Sequence, residues 1–137
     1  MIRQRIILPK YGWIIKAWYA VDDCYTEEIV SELDHLGAKE SFIEEADKML
    51  RGGMLNQGLT YVDPFMKEAA IVVGITTSAE EFHNTYEHEK RHLVEFIAEA
   101  EGIPAKGEEI SYLDGYIAGR MFSACKSLMC DCCRKKR

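Results

Sequence analysis

The spacing of apolar residues along this chain fits strands in some segments and helices in others. Residues 12–20 (GWIIKAWYA) are rich in aromatic and β-branched side chains, a composition typical of a strand. Residues 69–75 (AAIVVGI) form a nearly continuous apolar run, which predicts a strand buried on both faces. A shorter strand is expected over residues 59–62, just before that run.

Helical spacing predicts two helices between the first strand and the second. Residues 26–36 carry their apolar side chains on one face and end at Gly37. Ser41 and Glu44 match a capping box, which predicts a short helix that ends at residues 52–53 (Gly-Gly).

Two further helices follow the last strand. Ser78 and Glu81 match a second capping box, and the helix that they open contains no Gly or Pro before Gly102. Another helix begins within residues 106–117. The order strand, helix, helix, strand, strand, helix, helix predicts one α+β domain over residues 1–137, with a small mixed or antiparallel sheet.

The long helix contains His88-Glu89-Lys90-Arg91-His92, which matches the pattern H-E-x-x-H. Positions i and i+4 share one face of a helix, so the two imidazoles can bind a single metal ion. Glu89 lies about 100° round the helix, where it can act on a water molecule without binding the metal. The motif therefore predicts a hydrolytic Zn²⁺ site, because a structural zinc site has no use for this glutamate.

A hydrolytic zinc site takes three protein ligands and keeps one position open for water. The metzincin pattern H-x-x-G-x-x-H is excluded, because Glu95 replaces its glycine and Ala98 replaces its third histidine. The remaining common choice is a glutamate on the next helix, which offers Glu108 and Glu109. The helix dipole favours carboxylates in that first turn even without a metal. Asp114 is a further alternative, but it lies off the Glu108 face.

The order of these motifs resembles the small gluzincin-like proteins of bacterial phages and mobile elements. In those proteins the glutamate of an E-x-x-A motif, on the helix after H-E-x-x-H, is the third zinc ligand. The motif falls here on Glu108, with Ser111 in place of alanine, and residues 112–116 (YLDGY) match its continuation. Upstream matches are NQGLTY at 56–61, TTS at 76–78 and EFHNT at 81–85, so the resemblance spans about residues 13–122.

The resemblance implies a zincin-like fold, in which the sheet lies beside the H-E-x-x-H helix and the following Glu-bearing helix. It also implies a zinc metallopeptidase whose metal ligands are His88, His92 and Glu108. Glu89 would take the proton of the attacking water. Tyr112 or Tyr116 would stabilise the oxyanion, although aromatic residues at helical spacing also fit a core. An extended peptide could pair with residues 58–61; the alternative is an ordinary strand whose Tyr61 packs on a helix.

Composition and charge exclude several classes of partner. The 137 residues are 47% hydrophobic and 29% charged, as in globular proteins, and the net charge of −6 argues against a nucleic-acid surface over the whole domain. No apolar run approaches the ~20 residues of a membrane span. Residues 6–8 are too short for a signal-peptide core. We therefore expect a cytoplasmic protein with neither nucleic acid nor a membrane as its partner, and the resemblance implies that it acts on a peptide or protein.

Four of the five cysteines lie near the end of the chain, at positions 125, 130, 132 and 133, before the basic residues 134–137 (RKKR). Their spacing lacks the two C-x2-C units of a zinc ribbon, and no histidine is near. A lipidated basic tail would rest on composition alone. We expect residues 125–137 to be a frayed helix end with reduced thiols.

Two functions from different classes fit these observations. The first is a zinc-dependent hydrolase, most simply a peptidase. The alternative is a catalytically silent zincin-like protein that binds a partner. A metal site that only stabilises a small core is a third possibility, and it leaves Glu89 without a role.

Overall fold

The computed structural model describes residues 1–135, so the last two residues of the basic run, Lys136 and Arg137, lie outside the described residues. It contains one four-stranded sheet and five α-helices. The strands are β1 (Ile2–Leu8), β2 (Trp13–Val21), β3 (Gly58–Asp63) and β4 (Glu68–Gly74). The helices are α1 (Thr26–His35), α2 (Glu40–Arg51), α3 (Ala79–Glu101), α4 (Glu108–Cys125) and α5 (Asp131–Arg134).

The strands are ordered β1-β2-β4-β3 across the sheet. The central pair β2 and β4 is parallel, whereas each edge strand is antiparallel to its neighbour. This mixed sheet confirms the predicted α+β class. It also makes β3 an edge strand, and Tyr61 on β3 packs against Phe42 of α2, with ring centroids 5.0 Å apart.

The strand β4 is buried on both faces, as its apolar run predicts. Ala69, Ile71 and Val73 pack into a core with α3 and α4. Ala70 and Val72 pack into a second core with α1 and α2. The sheet is therefore the middle of three layers, and α3 lies on one face of it.

The first strand, β1, was not predicted. Ile6 and Leu8 point into the core, whereas Arg3 and Arg5 face outward. Burial alternates along the strand, but the sequence does not, because three polar residues are followed by three apolar ones, Ile6 to Leu8. All seven residues of β1 pair with β2, so β1 covers what would otherwise be an exposed edge of β2.

Of the two predicted capping boxes, the Ser78 N-cap is confirmed and the Ser41 N-cap is wrong. Ser78 Oγ accepts a hydrogen bond from the Glu81 N–H at 3.1 Å. The helix α2 instead begins one residue before Ser41, after Lys39, and no side chain caps it.

Residues 125–135, which were expected to be a frayed helix end, make contacts with the rest of the domain. Cys125 is fully buried, and Asp131 accepts a hydrogen bond from the Ala79 N–H at 2.9 Å. Among residues 1–135, none of the helices is both long enough and apolar enough to cross a membrane.

Candidate metal centre

The H-E-x-x-H motif lies in the middle of α3, whose two ends are both fixed. At the start, Ser78 caps the helix and Asp131 binds the next free N–H, that of Ala79. At the end, Gly102 adopts φ 70°, a left-handed conformation that stops the helix and that glycine adopts without a steric cost. The motif is therefore carried by a regular helix of 23 residues.

His88 and His92 direct their rings at each other from successive turns of α3. Their Nε2 atoms are 3.1 Å apart. A tetrahedral zinc ion with Zn–N distances of about 2.0–2.1 Å separates two nitrogens by about 3.4 Å, so the pair fits a metal within a few tenths of an ångström. The same separation suits a hydrogen bond between two neutral rings. The His92 ring also stacks on Phe96, with centroids 5.6 Å apart, which holds its orientation.

Glu89 points to the sheet, on the side where β3 forms the edge. Its side chain is buried, and the Thr60 hydroxyl donates a hydrogen bond to Glu89 Oε1 at 2.8 Å. The backbone approaches closely at Gly58, where an added Cβ would lie 2.7 Å from Glu89 Cγ. Residues 58–61 were predicted only as a possible edge for a peptide; the contact of Thr60 and Gly58 with Glu89 was not predicted, because it forms only through the packing of α3 on β3.

Lys90 fixes the side of α3 on which α4 packs. Its ammonium group is buried between the helices, 3.0 Å from Asp114 Oδ1 and 3.1 Å from Glu87 Oε2. Burial by itself lowers the pKa of Lys90, but hydrogen bonds to Asp114 and Glu87 outweigh it, so the pKa lies above its ordinary value. Asp114, an alternative third ligand in the sequence, is thus the partner of a lysine.

The structure does not bring Glu108 to the histidine pair. Lys90, which contacts α4, is about 160° round the helix from both His88 and His92, so the two histidines do not face α4 directly. Glu109 accepts a hydrogen bond from the Tyr11 hydroxyl at 2.9 Å, away from α3. Within residues 1–135, no Asp, Glu, Cys or third His places a ligand atom within 4.8 Å of both imidazoles.

Tyr112 and Tyr116 also lie away from the histidines. They line a groove of about 320 Å³ between α4 and the turn after β1, together with Pro9 and Tyr11. The Tyr116 hydroxyl donates to the Ile7 carbonyl at 3.2 Å. Neither tyrosine is a core residue, since Tyr112 is 73% exposed and Tyr116 is 37% exposed.

A second groove, of about 580 Å³, runs between α3 and α4 and has His88 at its rim. Its walls carry charges of both signs, from Glu87, Lys90, Arg91 and Glu95. His88 is therefore accessible to a ligand from this groove.

The described residues also contain two groups of possible metal ligands that were not predicted. Glu32, His35 and Glu68 bring their ligand atoms within 4.8 Å of one another, and so do Asp22, Asp23 and Cys24. In the first group His35 Nε2 lies 3.5 Å from Glu68 Oε2, and Lys16 already pairs with Glu32 at 3.0 Å. The lysine places a positive charge beside Glu32, whose other oxygen, Oε1, is buried without a hydrogen-bond partner among residues 1–135.

Comparisons with protein-family models, with curated proteins and with solved structures find no match for this chain.

Proposed function

We propose that this chain is a zinc-dependent hydrolase, most simply a peptidase, whose metal is bound by His88, His92 and Glu108. The observation that carries the proposal is the 3.1 Å separation of the two Nε2 atoms, with Glu89 between the two histidines in the sequence. The position of β3 supports a zincin-like fold by analogy, because it is an antiparallel edge strand beside the motif helix.

The chain's own residues would have separate roles in such a reaction. Zinc, when bound, acidifies water and polarises a carbonyl group. Glu89 would accept the proton of the attacking water and pass it to the leaving amine. Thr60 would keep the Glu89 carboxylate in place, and the free edge of β3 would hold an extended peptide by main-chain hydrogen bonds. Tyr112 and Tyr116 lie on the groove beside β1, so the metal alone would stabilise the oxyanion.

The position of α4 favours a second candidate, a partner-binding protein without turnover. Glu108 can join His88 and His92 only if the start of α4 leaves the flank on which Lys90 and Asp114 hold it. If α4 keeps this flank, two histidines remain as the protein ligands, and the site lacks the three that hydrolytic zinc enzymes use.

The first experiment measures zinc in protein purified without a chelator or an affinity metal. We expect one zinc ion per chain, and we expect His88→Ala and His92→Ala to abolish it. His83→Ala is the matched control, because His83 is exposed on the same helix about 140° from His88. No zinc in the native protein, together with no uptake by metal-free protein, contradicts the proposal.

The second experiment separates the hydrolase from the silent protein. Zinc-loaded protein at high concentration is profiled against a peptide library, and cleavage is compared with that of Glu89→Gln. We expect the substitution to lower zinc-dependent cleavage by at least about 100-fold while the zinc content stays the same. Glu99→Gln, which changes an exposed carboxylate of the same helix outside the groove between α3 and α4, should cleave normally. Equal turnover by Glu89→Gln would refute its role, and zinc without any cleavage identifies the second candidate.

A further inference from the structure

Glu32, His35 and Glu68 form a cluster of metal-ligating side chains on the face of the sheet opposite α3. Glu32 and His35 lie one turn apart at the end of α1, in the spacing Glu-x-x-His that places a carboxylate and an imidazole on one face of a helix. Glu68 begins β4 and shares a face of that strand with Ala70 and Val72, which pack against α1 and α2. Two elements that are distant in the sequence therefore bring three donors together.

The distances within this cluster suit a single metal ion. One donor atom of each residue lies within 4.8 Å of the donor atoms of the other two. His35 Nε2 lies 3.5 Å from Glu68 Oε2. Two donors on one tetrahedral or octahedral ion are about 3.0–3.4 Å apart, so this pair already has nearly the spacing that a shared ion requires. Small side-chain rotations of Glu32 and Glu68 would complete a set of three ligands.

The Glu32 carboxylate has one oxygen that no described group satisfies. Lys16 Nζ donates to Glu32 Oε2 at 3.0 Å, whereas Oε1 is buried and accepts no hydrogen bond from any group of residues 1–135. A buried carboxylate oxygen normally has a partner, because the loss of its hydration without a compensating bond costs free energy. A cation between Glu32, His35 and Glu68 would satisfy Oε1 and leave the bond to Lys16 intact.

The surroundings of the cluster also favour a cation. The two carboxylates outnumber the one ammonium group, that of Lys16, so the cluster carries an excess of negative charge while His35 is neutral. It also lies at the C-terminal end of α1, where the helix dipole is negative. Leu33 and Leu36, on either side of the His35 turn, are buried in the core, so the backbone that carries the donors is held in place.

We propose that Glu32, His35 and Glu68 bind a divalent first-row transition-metal ion such as Mn²⁺, which links α1 to β4. Two carboxylates and one imidazole are donors that such ions accept, and water would complete the coordination. The His35 side chain is 53% exposed, so the ion exchanges with solvent, and the charge of Lys16 weakens its binding. The site therefore fills from added metal and loses it during purification. The proposal does not depend on the zinc site at His88 and His92.

The deciding experiment uses the whole chain with His88→Ala and His92→Ala, so that the histidine pair cannot supply the signal. His35 and His83 are then the only histidines left, and each gives its own imidazole signals in a proton NMR spectrum. Mn²⁺ alone is added to metal-free protein, because a paramagnetic ion broadens the signals of nearby protons. We expect the His35 signals to broaden first, with His83 as the internal control on the other face of the sheet. No binding at millimolar Mn²⁺, or equal broadening of both histidines, would overturn the proposal.

Calorimetric titration of the same protein with Mn²⁺ assigns the ligands. Glu32→Gln and Glu68→Gln should each weaken binding by at least about tenfold. Asp34→Asn is the matched control, because it removes an exposed carboxylate about 100° round α1 from His35, and it should change the affinity by less than about threefold. Unchanged affinity in the two glutamine variants, or an equal loss in Asp34→Asn, would contradict the ligand set.

Lys16→Gln distinguishes a metal site from an ordinary network of ion pairs. The substitution removes a repelling charge and frees Glu32 Oε2, so Mn²⁺ should bind at least about threefold more tightly. Urea unfolding without metal confirms that each variant is folded. Weaker binding of Mn²⁺ by a folded Lys16→Gln variant would show that the carboxylates serve the lysine alone, and it would overturn the proposal.

Discussion

The Thr60 hydroxyl donates a hydrogen bond to the Glu89 carboxylate over 2.8 Å, which ties the edge strand β3 to the helix that carries both histidines. Both side chains are buried, with Thr60 9% exposed and Glu89 6% exposed. A carboxylate in such a place is tolerated only when hydrogen bonds satisfy it. The contact therefore fixes the position of the one residue of the motif that faces the sheet.

Thr60→Val should destabilise the protein by about 1–3 kcal/mol, because it removes the donor and leaves the Glu89 oxygen buried without its partner. Valine has nearly the shape of threonine, so the loss reports the hydroxyl rather than a cavity. Thr60→Ser, which keeps the hydroxyl, is the control and should cost less. Urea unfolding of the three proteins measures the difference, and equal stability of the Val and Ser variants would show that the hydrogen bond contributes nothing.

Glu108→Ala should weaken zinc binding more than Glu109→Ala does, if α4 moves as the proposed function requires. Successive helical residues diverge by about 100°, so only one of the two can face the metal. Glu109 is also engaged by the Tyr11 hydroxyl. Calorimetric titration of metal-free protein with zinc gives both affinities. A larger loss in Glu109→Ala would reverse the assignment, and no loss in either variant would leave the two histidines as the protein ligands.

The sequence predicted the parts of the site that lie on one helix. The spacing of His88 and His92 places them on one face whatever surrounds the helix, and the structure brings their nitrogens together. Thr60 could not be found in this way, because it lies 29 residues from Glu89 and meets it only after the sheet has formed.

The sequence pattern also could not predict which side of α3 packs against α4. A helical wheel fixes which residues share a face, but it does not say which face the next helix covers. One signal was present: Lys90 lies about 60° from Leu93, next to the apolar stripe of α3, so its burial required an acidic partner. Asp114 supplies that charge, and the Lys90–Asp114 pair then holds α4 away from the histidines.

Acid should weaken the contact between β1 and α1. Arg3 and Trp18 hydrogen-bond the Glu28 carboxylate and lower its pKa to about 2, with Arg3 the larger cause. A lowered pKa means that the stabilisation is fully present above pH 4.5, the ordinary value, and is lost as the pH falls toward 2. Between pH 6 and pH 3, Glu28→Gln should therefore lose less stability than the native protein in urea unfolding. Its neighbour Glu27→Gln, an exposed control, should follow the native protein.

Gly58→Ala should destabilise the protein by about 1–3 kcal/mol, because the new methyl group would lie 2.7 Å from both Glu89 Cγ and the Val72 carbonyl oxygen. The backbone oxygen cannot rotate away, so β3 must shift from β4 or from α3. Gly115→Ala provides the opposite case within the same chain. Gly115 lies inside α4 with no atom within 4 Å of an added Cβ, so alanine there should stabilise the protein by up to about 1 kcal/mol through its higher helix propensity. Thermal and urea unfolding of both variants measure the two signs. Equal effects at the two glycines would mean that α3 does not pack on β3 as closely as the Thr60–Glu89 hydrogen bond requires.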